Sequence, residues 1–290
     1  MKKNSGSENL SPNRIAFRKF RKNKLAMFGL IVIVVLIVVS IAAPVLTPYD
    51  RDKIDMYSME APPSSEHLLG TDEIGRDVLT RLLYGGRVSL AVGILASLAE
   101  IVIGVVLGAV AGFYGGKVDA VIMRITDVIM CVPFFVVAIV LAAIVGPSMV
   151  NLIFIIAILE WTKIARIVRA EVLSLKERDF ITASRSMGLN EFEIILRHIL
   201  PNTFASIMVF ATLAIANGIL TEAALSFLGM GVRPPQPSWG NMLAAAQSMR
   251  VLQYEWWLWI PQGFMVFITV ISINFLGDGL RDALDPKLKT

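Results

Sequence analysis

A single cysteine among 290 residues excludes an internal disulfide and any Cys-rich metal site, because either requires at least two sulfurs. Cys131 stands in an apolar run and reads as a small core residue. Histidine is almost as scarce. His67 and His198 fall in different loops, away from partners at metal-ligand spacing, so each reads as a surface or interface residue and no Ser/His or metal pair is left for intramembrane catalysis. Charge is thin too, at 17% of residues against about 25% in ordinary soluble domains. A phosphate-binding Gly-x4-Gly-Lys-Ser/Thr is missing as well, since Gly115-Gly116-Lys117 runs into Val118. What is abundant is apolar: 56% of the chain, more than one soluble core can bury.

Crossing a ~30 Å hydrocarbon layer takes about 20 apolar residues. Six segments offer this, at 25–46, 88–113, 121–145, 149–165, 202–230 and 256–276, and the chain is expected to be an all-α polytopic membrane protein. The fourth is the shortest and carries Asn151 and Glu160. Basic residues accumulate in cytoplasmic loops. With the N-terminus inside, 20 of the 27 Lys and Arg fall on that side, and the 47–87 loop offsets its five basic residues with eight acidic ones. Both termini are therefore expected in the cytoplasm of a cell-membrane protein. The net charge of +4 reflects this orientation and calls for no nucleic acid. The first segment resembles a secretory signal at Ser40-Ile41-Ala42, but its apolar run exceeds the ~7–15 residues of a signal core. Trp239, Trp256, Trp257 and Trp259 suit an outer aromatic belt, with Trp161 at the inner one. The segments divide the chain into a basic stretch 1–24, a first helix 25–46, an external loop 47–87, a five-helix core 88–280 and a tail 281–290.

Within the second segment Gly104, Gly108 and Gly112 continue a stripe begun by Ala96 and Glu100, a spacing that admits a closely packed helix. Glu100 reads as a structural carboxylate on that buried face, with a coupled proton site as the alternative. The fifth segment places Asn217, Gly218, Thr221 and Glu222 on one face, which suits a solute pathway or a polar helix contact equally. Thr269, Ser272 and Asn274 make the sixth a weaker pathway candidate. In the outer loops, Thr71 is expected to cap an amphipathic helix through Ile74, Val78 and Leu82 along the membrane. After Pro234-Pro235-Gln236-Pro237, a stripe of Trp239, Met242, Leu243, Ala246 and Met249 predicts a second interfacial helix, with or without a gating role.

Segment 163–201 is long for a cytoplasmic loop and patterned throughout. Asp179 is expected to cap a short helix from Phe180, Gly188 to end it in the left-handed conformation, and Leu189 to supply the apolar contact of that stop. Asn190 then caps a further helix, with Glu193 in capping-box position, and Pro201 punctuates the return to the membrane. Phe180, Ala183 and Met187 share a face, while Thr182, Ala183 and Ser184 are small enough for another protein to approach. Helices this short are marginal alone, so a partner is expected to stabilise it. The alternative is a hairpin folded onto the inner membrane face.

The run Asp179-Phe180-Ile181-Thr182-Ala183-Ser184-Arg185-Ser186-Met187-Gly188, with Leu200-Pro201 twelve residues past the glycine, resembles the EAA loop of ABC importer permeases. Thr182 stands in the leading Glu's place and His198 in an apolar one. Leu69-Gly70-Thr71-Asp72-Glu73-Ile74-Gly75-Arg76-Asp77-Val78, Tyr114-Gly115-Gly116, Leu225-Ser226-Phe227-Leu228-Gly229, Ser238-Trp239-Gly240, Leu276-Gly277-Asp278-Gly279-Leu280-Arg281-Asp282 and Asp285-Pro286 are similar to the oligopeptide, dipeptide and nickel group, in its "C" permease form. The resemblance implies a type I importer fold with six transmembrane helices and a cytoplasmic coupling helix at 179–189. It also implies a second homologous permease, two cytoplasmic ATPases that bind ATP and Mg, an external substrate-binding protein, and no cofactor in this chain. Peptides are the default solute, with nickel, glutathione or an oligosaccharide as alternatives. A proton-coupled secondary transporter using Glu100 or Glu222 is the rival class.

Overall fold

The computed structural model describes residues 12–284, and apart from one bridge between Thr71 and Asp77 every regular element among them is helical. Lys2, Lys3, Asp285, Pro286, Lys287 and Lys289 lie outside the described residues. Helix α1 (Pro12–Lys22) ends on Lys19, Arg21 and Lys22. Asn23 then accepts from the backbone N–H groups of Leu25 and Ala26, both at 3.1 Å, and starts α2 (Lys24–Ile41), which a short turn α3 (Ala43–Leu46) follows.

The expected amphipathic helix from Thr71 is not separate. Residues 70–76 form a loop, with Gly70 and Gly75 at φ +68° and +79° and the Asp72 carboxylate accepting from Ile74 and Arg76 backbone N–H groups. The helix begins at Val78, where Asp77 Oδ2 accepts from the Thr80 N–H at 2.8 Å and hydroxyl at 2.6 Å. From there α4 (Val78–Tyr114) runs unbroken for 37 residues, about 55 Å at 1.5 Å per residue, and absorbs the second expected segment.

The third expected segment is broken. Helices α5 (Gly116–Cys131) and α6 (Phe134–Val145) meet at 88°, because Pro133 has no N–H and holds Val132 in an extended conformation. Cys131, at the end of α5, is exposed rather than buried in the core. Helix α7 (Met149–Lys176) opens on a Ser148 cap and continues eleven residues beyond its expected end. Asn151, awkward in an apolar span, donates to the carbonyls of Gly146 at 2.8 Å and Val145 at 3.2 Å and closes the preceding turn.

Two short helices follow, α8 (Asp179–Ser186) and α9 (Glu191–Ile194), then a π-type turn at Ile195–Ile199 and α10 (Leu200–Phe227). Pro201 occupies the first turn of α10, where its missing N–H costs nothing, so it does not break the chain. The second expected loop helix divides into α11 (Trp239–Leu243), a 3-10 turn and α12 (Met249–Tyr254), before α13 (Ile260–Leu284). Trp239 and Trp257 are buried within the chain, and Trp239 Nε1 donates to the Leu82 carbonyl at 3.0 Å.

Among the described residues α2, α4, the continuous stretch Glu191–Phe227 and α13 are long and apolar enough to cross a membrane, and the bent α5–α6 pair makes a fifth. The remaining expected segment is α7, whose charges lower its hydropathy. It packs along α4 all the same. A Cβ added to Gly104 would lie 2.0 Å from Ile164 Cγ2 and 2.7 Å from the Trp161 carbonyl oxygen; at Gly108 it would lie 2.5 Å from the Ala165 carbonyl oxygen, and at Gly112 2.8 Å from Val172 Cβ. Such backbone approach is how helices associate where lipid removes the hydrophobic drive. Gly29 makes a second close seam against the Ser272 carbonyl and joins α2 to α13.

Candidate functional site

Helix α8 lies where the ends of α4, α7 and α10 converge. Its first residue is Asp179 itself, in the first turn, where a carboxylate complements the helix dipole; Arg178 holds the cap position and makes no side-chain cap, so Asp179 is not the cap. The far end closes as a Schellman motif. Gly188, at φ +81°, donates to the Arg185 carbonyl at 3.0 Å, and Leu189 donates to Ser184 at 3.3 Å. Asn190 Oδ1 accepts from the Glu193 N–H at 2.8 Å and starts α9, while the Glu193 carboxylate pairs with Arg197 at 2.6 Å.

One face of α8 is anchored. Ile181 is wholly buried with Phe113, Val168, Val172, Ile194, Ile195 and Ile199, which joins the short helix to four elements at once. Ser184 is on this inward face, 3% exposed, its hydroxyl donating to the Phe180 carbonyl at 2.8 Å. A partner therefore cannot meet Ser184, contrary to the sequence expectation. The guanidinium of Arg185 lies 5.3 Å from the Phe113 ring centroid, and Lys176 Nζ donates to the Phe113 carbonyl at 2.5 Å. The opposite face is open: Phe180 is 42% and Met187 72% exposed, with Thr182 and Ala183 exposed between them.

The two polar faces expected to line a pathway divide differently. On α10, Asn217 is exposed and Thr221 half-buried, but Glu222 is 0% exposed. It accepts from Ser89 and Ser226, each at 2.7 Å, and the Ser89 hydroxyl in turn accepts from the Trp239 N–H at 3.0 Å. Glu222 thus ties α10, α4 and α11 together. Thr269 and Ser272 on α13 are also wholly buried: the Thr269 hydroxyl donates to the Met265 carbonyl at 2.6 Å, and Ser272 backs onto Gly29. Neither of these two hydroxyls reaches the surface of the chain. Glu100 is buried on α4 one turn before Gly104, on the side facing α7.

Three polar links were not expected. His67, read as a surface or interface residue, is buried, with Nδ1 2.9 Å from Asp77 Oδ1. Arg166 pairs with Asp127 at 2.5 Å, and Arg169 with Asp119, its Nη2 at 2.6 Å. The signal for the last two was present, with acids eight residues apart on α5 and bases three apart on α7, but each pattern reads separately as a solvated face until the helices are paired.

Long apolar helices packed backbone to backbone, with a short helix fixed across one end of the bundle, define a polytopic membrane transport component of the importer-permease class. The chain belongs to the family described as the binding-protein-dependent transport system inner membrane component, which residues 104–290 match; residues 11–63 match the N-terminal TM domain of oligopeptide transport permease C. It is 43% identical to the dipeptide transport system permease protein DppC of Alkalihalophilus pseudofirmus over 97% of this chain and 92% of that protein. It is 41% identical to the oligopeptide transport system permease protein OppC of Bacillus subtilis, over the same shares of each chain. With the glutathione transport system permease protein GsiD of Pectobacterium atrosepticum, identity is 43% over 97% of this chain and 93% of that one. In fold it is similar to the solved MetNI methionine ABC transporter in its inward-facing conformations, with a TM-score of 0.54 at 19% identity, over 71% of this chain and 97% of that chain.

Proposed function

We propose that this chain is one permease subunit of an ATP-driven importer of peptides, half of a pathway completed by a second, homologous permease. The relatives are named for dipeptide, oligopeptide and glutathione transport, and all three solutes are amide-linked and zwitterionic. Two cytoplasmic ATPases bind ATP and Mg, this chain contributing no nucleotide site, and an external binding protein delivers the solute. The α8 end of the bundle faces the cytoplasm together with α1 and the end of α13, in keeping with the basic residues at 19, 21, 22, 176, 178, 185 and 281.

The observation that carries this reading is α8: anchored by Ile181 on one side, sealed by Gly188 and Leu189, and exposing Phe180, Thr182, Ala183 and Met187 on the other. An exposed phenylalanine and methionine on a helix too short to stand alone suit insertion into a groove of the ATPase. ATPase closure moves α8 as a lever, and the Ile181 cluster passes that displacement to α4, α7 and α10, which shifts the pore between its two access states. The test is cross-linking of Ala183→Cys, in a Cys131→Ser background, to cysteines placed along the ATPase groove in the assembled transporter. The proposal expects a nucleotide-dependent cross-link at Ala183 and none at the buried Ser184. Intact ATP-driven uptake with no cross-link from Ala183, Thr182 or Met187 would overturn it.

A further inference from the structure

The α5–α7 ion pairs lie at a depth where lipid would penalise them. Gly104 of α4 meets Trp161 and Ile164, and Gly108 meets Ala165, so Glu160, Lys163 and Arg166 stand level with the 101–108 stretch of α4. From Gly108 to Phe113 is about 8 Å of further apolar helix at 1.5 Å per residue. Level with them α4 turns Val102 and Val106 away from α7, 62% and 55% exposed, an uncharged apolar surface. The opposite side carries charge. Asp127 and Arg166, paired at 2.5 Å, leave nearly half of each side chain exposed, and Lys163, paired with Glu160 at 2.5 Å, leaves half of its own. Helix α5 sets the two kinds of residue on neighbouring sectors of its exposed side: Arg124, Asp127 and Cys131 on one, Val118, Val121 and Ile125 on the next. Ionisable groups in the membrane interior face protein or water.

We propose that the face bearing Asp127, Glu160, Lys163 and Arg166 lines the water-filled passage, and that the carboxylate and ammonium of a zwitterionic solute exchange with these ion pairs as it crosses. The inference rests on the importer reading and moves the pathway from the Asn217–Glu222 face of α10 to α5 and α7. A lone fixed charge in a passage would hold an oppositely charged solute too firmly. A fixed pair lets the solute displace one partner at a time, favourable enough to enter and weak enough to leave. Lys163 and Arg166 are separated by about 4.5 Å along α7, and a two-residue chain reaches at most ~7 Å, so one small peptide engages both pairs together.

The test uses the assembled transporter with its binding protein in proteoliposomes loaded with ATP, with uptake of dialanine measured alongside labelling. Wild-type Cys131 is exposed one turn from Asp127 and requires no substitution. A membrane-impermeant, trimethylammonium-bearing methanethiosulfonate is expected to label Cys131, and Lys163→Cys or Arg166→Cys in a Cys131→Ser background, at least ~10-fold faster than Ile125→Cys or Val106→Cys. Dialanine should slow the first group only. Arg166→Cys should lose uptake about tenfold and regain part of it with the cationic reagent, but none with a sulfonate-bearing one. Equal labelling of both groups, or none at residues 131, 163 and 166 with and without ATP while uptake proceeds, overturns the inference and leaves the importer reading standing. Dialanine uptake that proceeds without ATP overturns the importer reading itself, whatever the labelling.

Discussion

At the loop end of the bundle, Asp77 holds His67, Glu222 holds Ser89 and Ser226, and Trp239 donates to the Leu82 carbonyl across 157 residues of sequence. At the α8 end the contacts are mostly those of isoleucine and valine around Ile181, with Arg185 and Lys176 bracketing Phe113. Buried hydrogen bonds are directional and leave an orphaned group when they part, so the first arrangement has one geometry. Apolar contacts are less exacting about angle. Elements joined by them slide as packed units, which is what a lever requires. Between the two ends the α4–α7 glycine seam keeps two long helices in register.

That contrast is most severely tested in the seam. Gly108→Val is expected to prevent recovery of an assembled complex, because its Cβ alone would stand 2.5 Å from the Ala165 carbonyl oxygen and α4 would have to part from α7. Size-exclusion chromatography after detergent extraction reads the outcome, and a normal yield would show that the seam is not rigid. Next in size, Glu222→Ala leaves the Ser89 and Ser226 hydroxyls unpaired and should cost about 3 kcal/mol in thermal unfolding in detergent, with Glu222→Gln much milder. Unchanged stability with lost uptake would return Glu222 to the pathway and dissolve the contrast.

At the other end the effects on stability shrink and those on coupling grow. Gly188→Val forces a branched residue to φ +81° at about 1–2 kcal/mol, with open space around the Cβ, so the fold survives while substrate-stimulated ATP hydrolysis falls. Smallest of all, the double variant Phe180→Ala and Met187→Ala should alter the unfolding of this chain by no more than about 0.5 kcal/mol, both side chains being exposed. Its uptake is nevertheless expected to fall below a tenth of normal. If uptake survives, the exposed face of α8 is not where force enters.

Local chemistry was legible wherever the signal is local. The Gly188 stop, the Asn190 cap and the four-residue glycine spacing each follow from the conformational needs of a few neighbouring residues. So does the end of α5, although the sequence reading passed through Pro133 because the apolar run on both sides outweighed one proline. The start of α4 was misplaced at Thr71 since the loop at 70–76 depends on glycine turns around Asp72, a feature hidden inside an apparent helical period. Asp179 and Ser184 went astray by one position and one face: 100° per residue on an eight-residue helix cannot be phased without knowing what it rests on.

The polar residues of the spans show where sequence reading stops. A carboxylate in an apolar run reports only that something must receive it. Glu222 finds serines of α4 and α10, Thr269 a carbonyl of its own helix, and Asp127 an arginine of α7 that keeps half its surface open. Composition, charge bias and motif spacing determined by themselves that the chain is a helical membrane protein with a capped helix at one end, because burial in lipid and helix capping act within one segment. Which charges are sealed and which face an opening was decided only by the tertiary structure, because a charge inside a membrane is defined by the partner another helix brings to it.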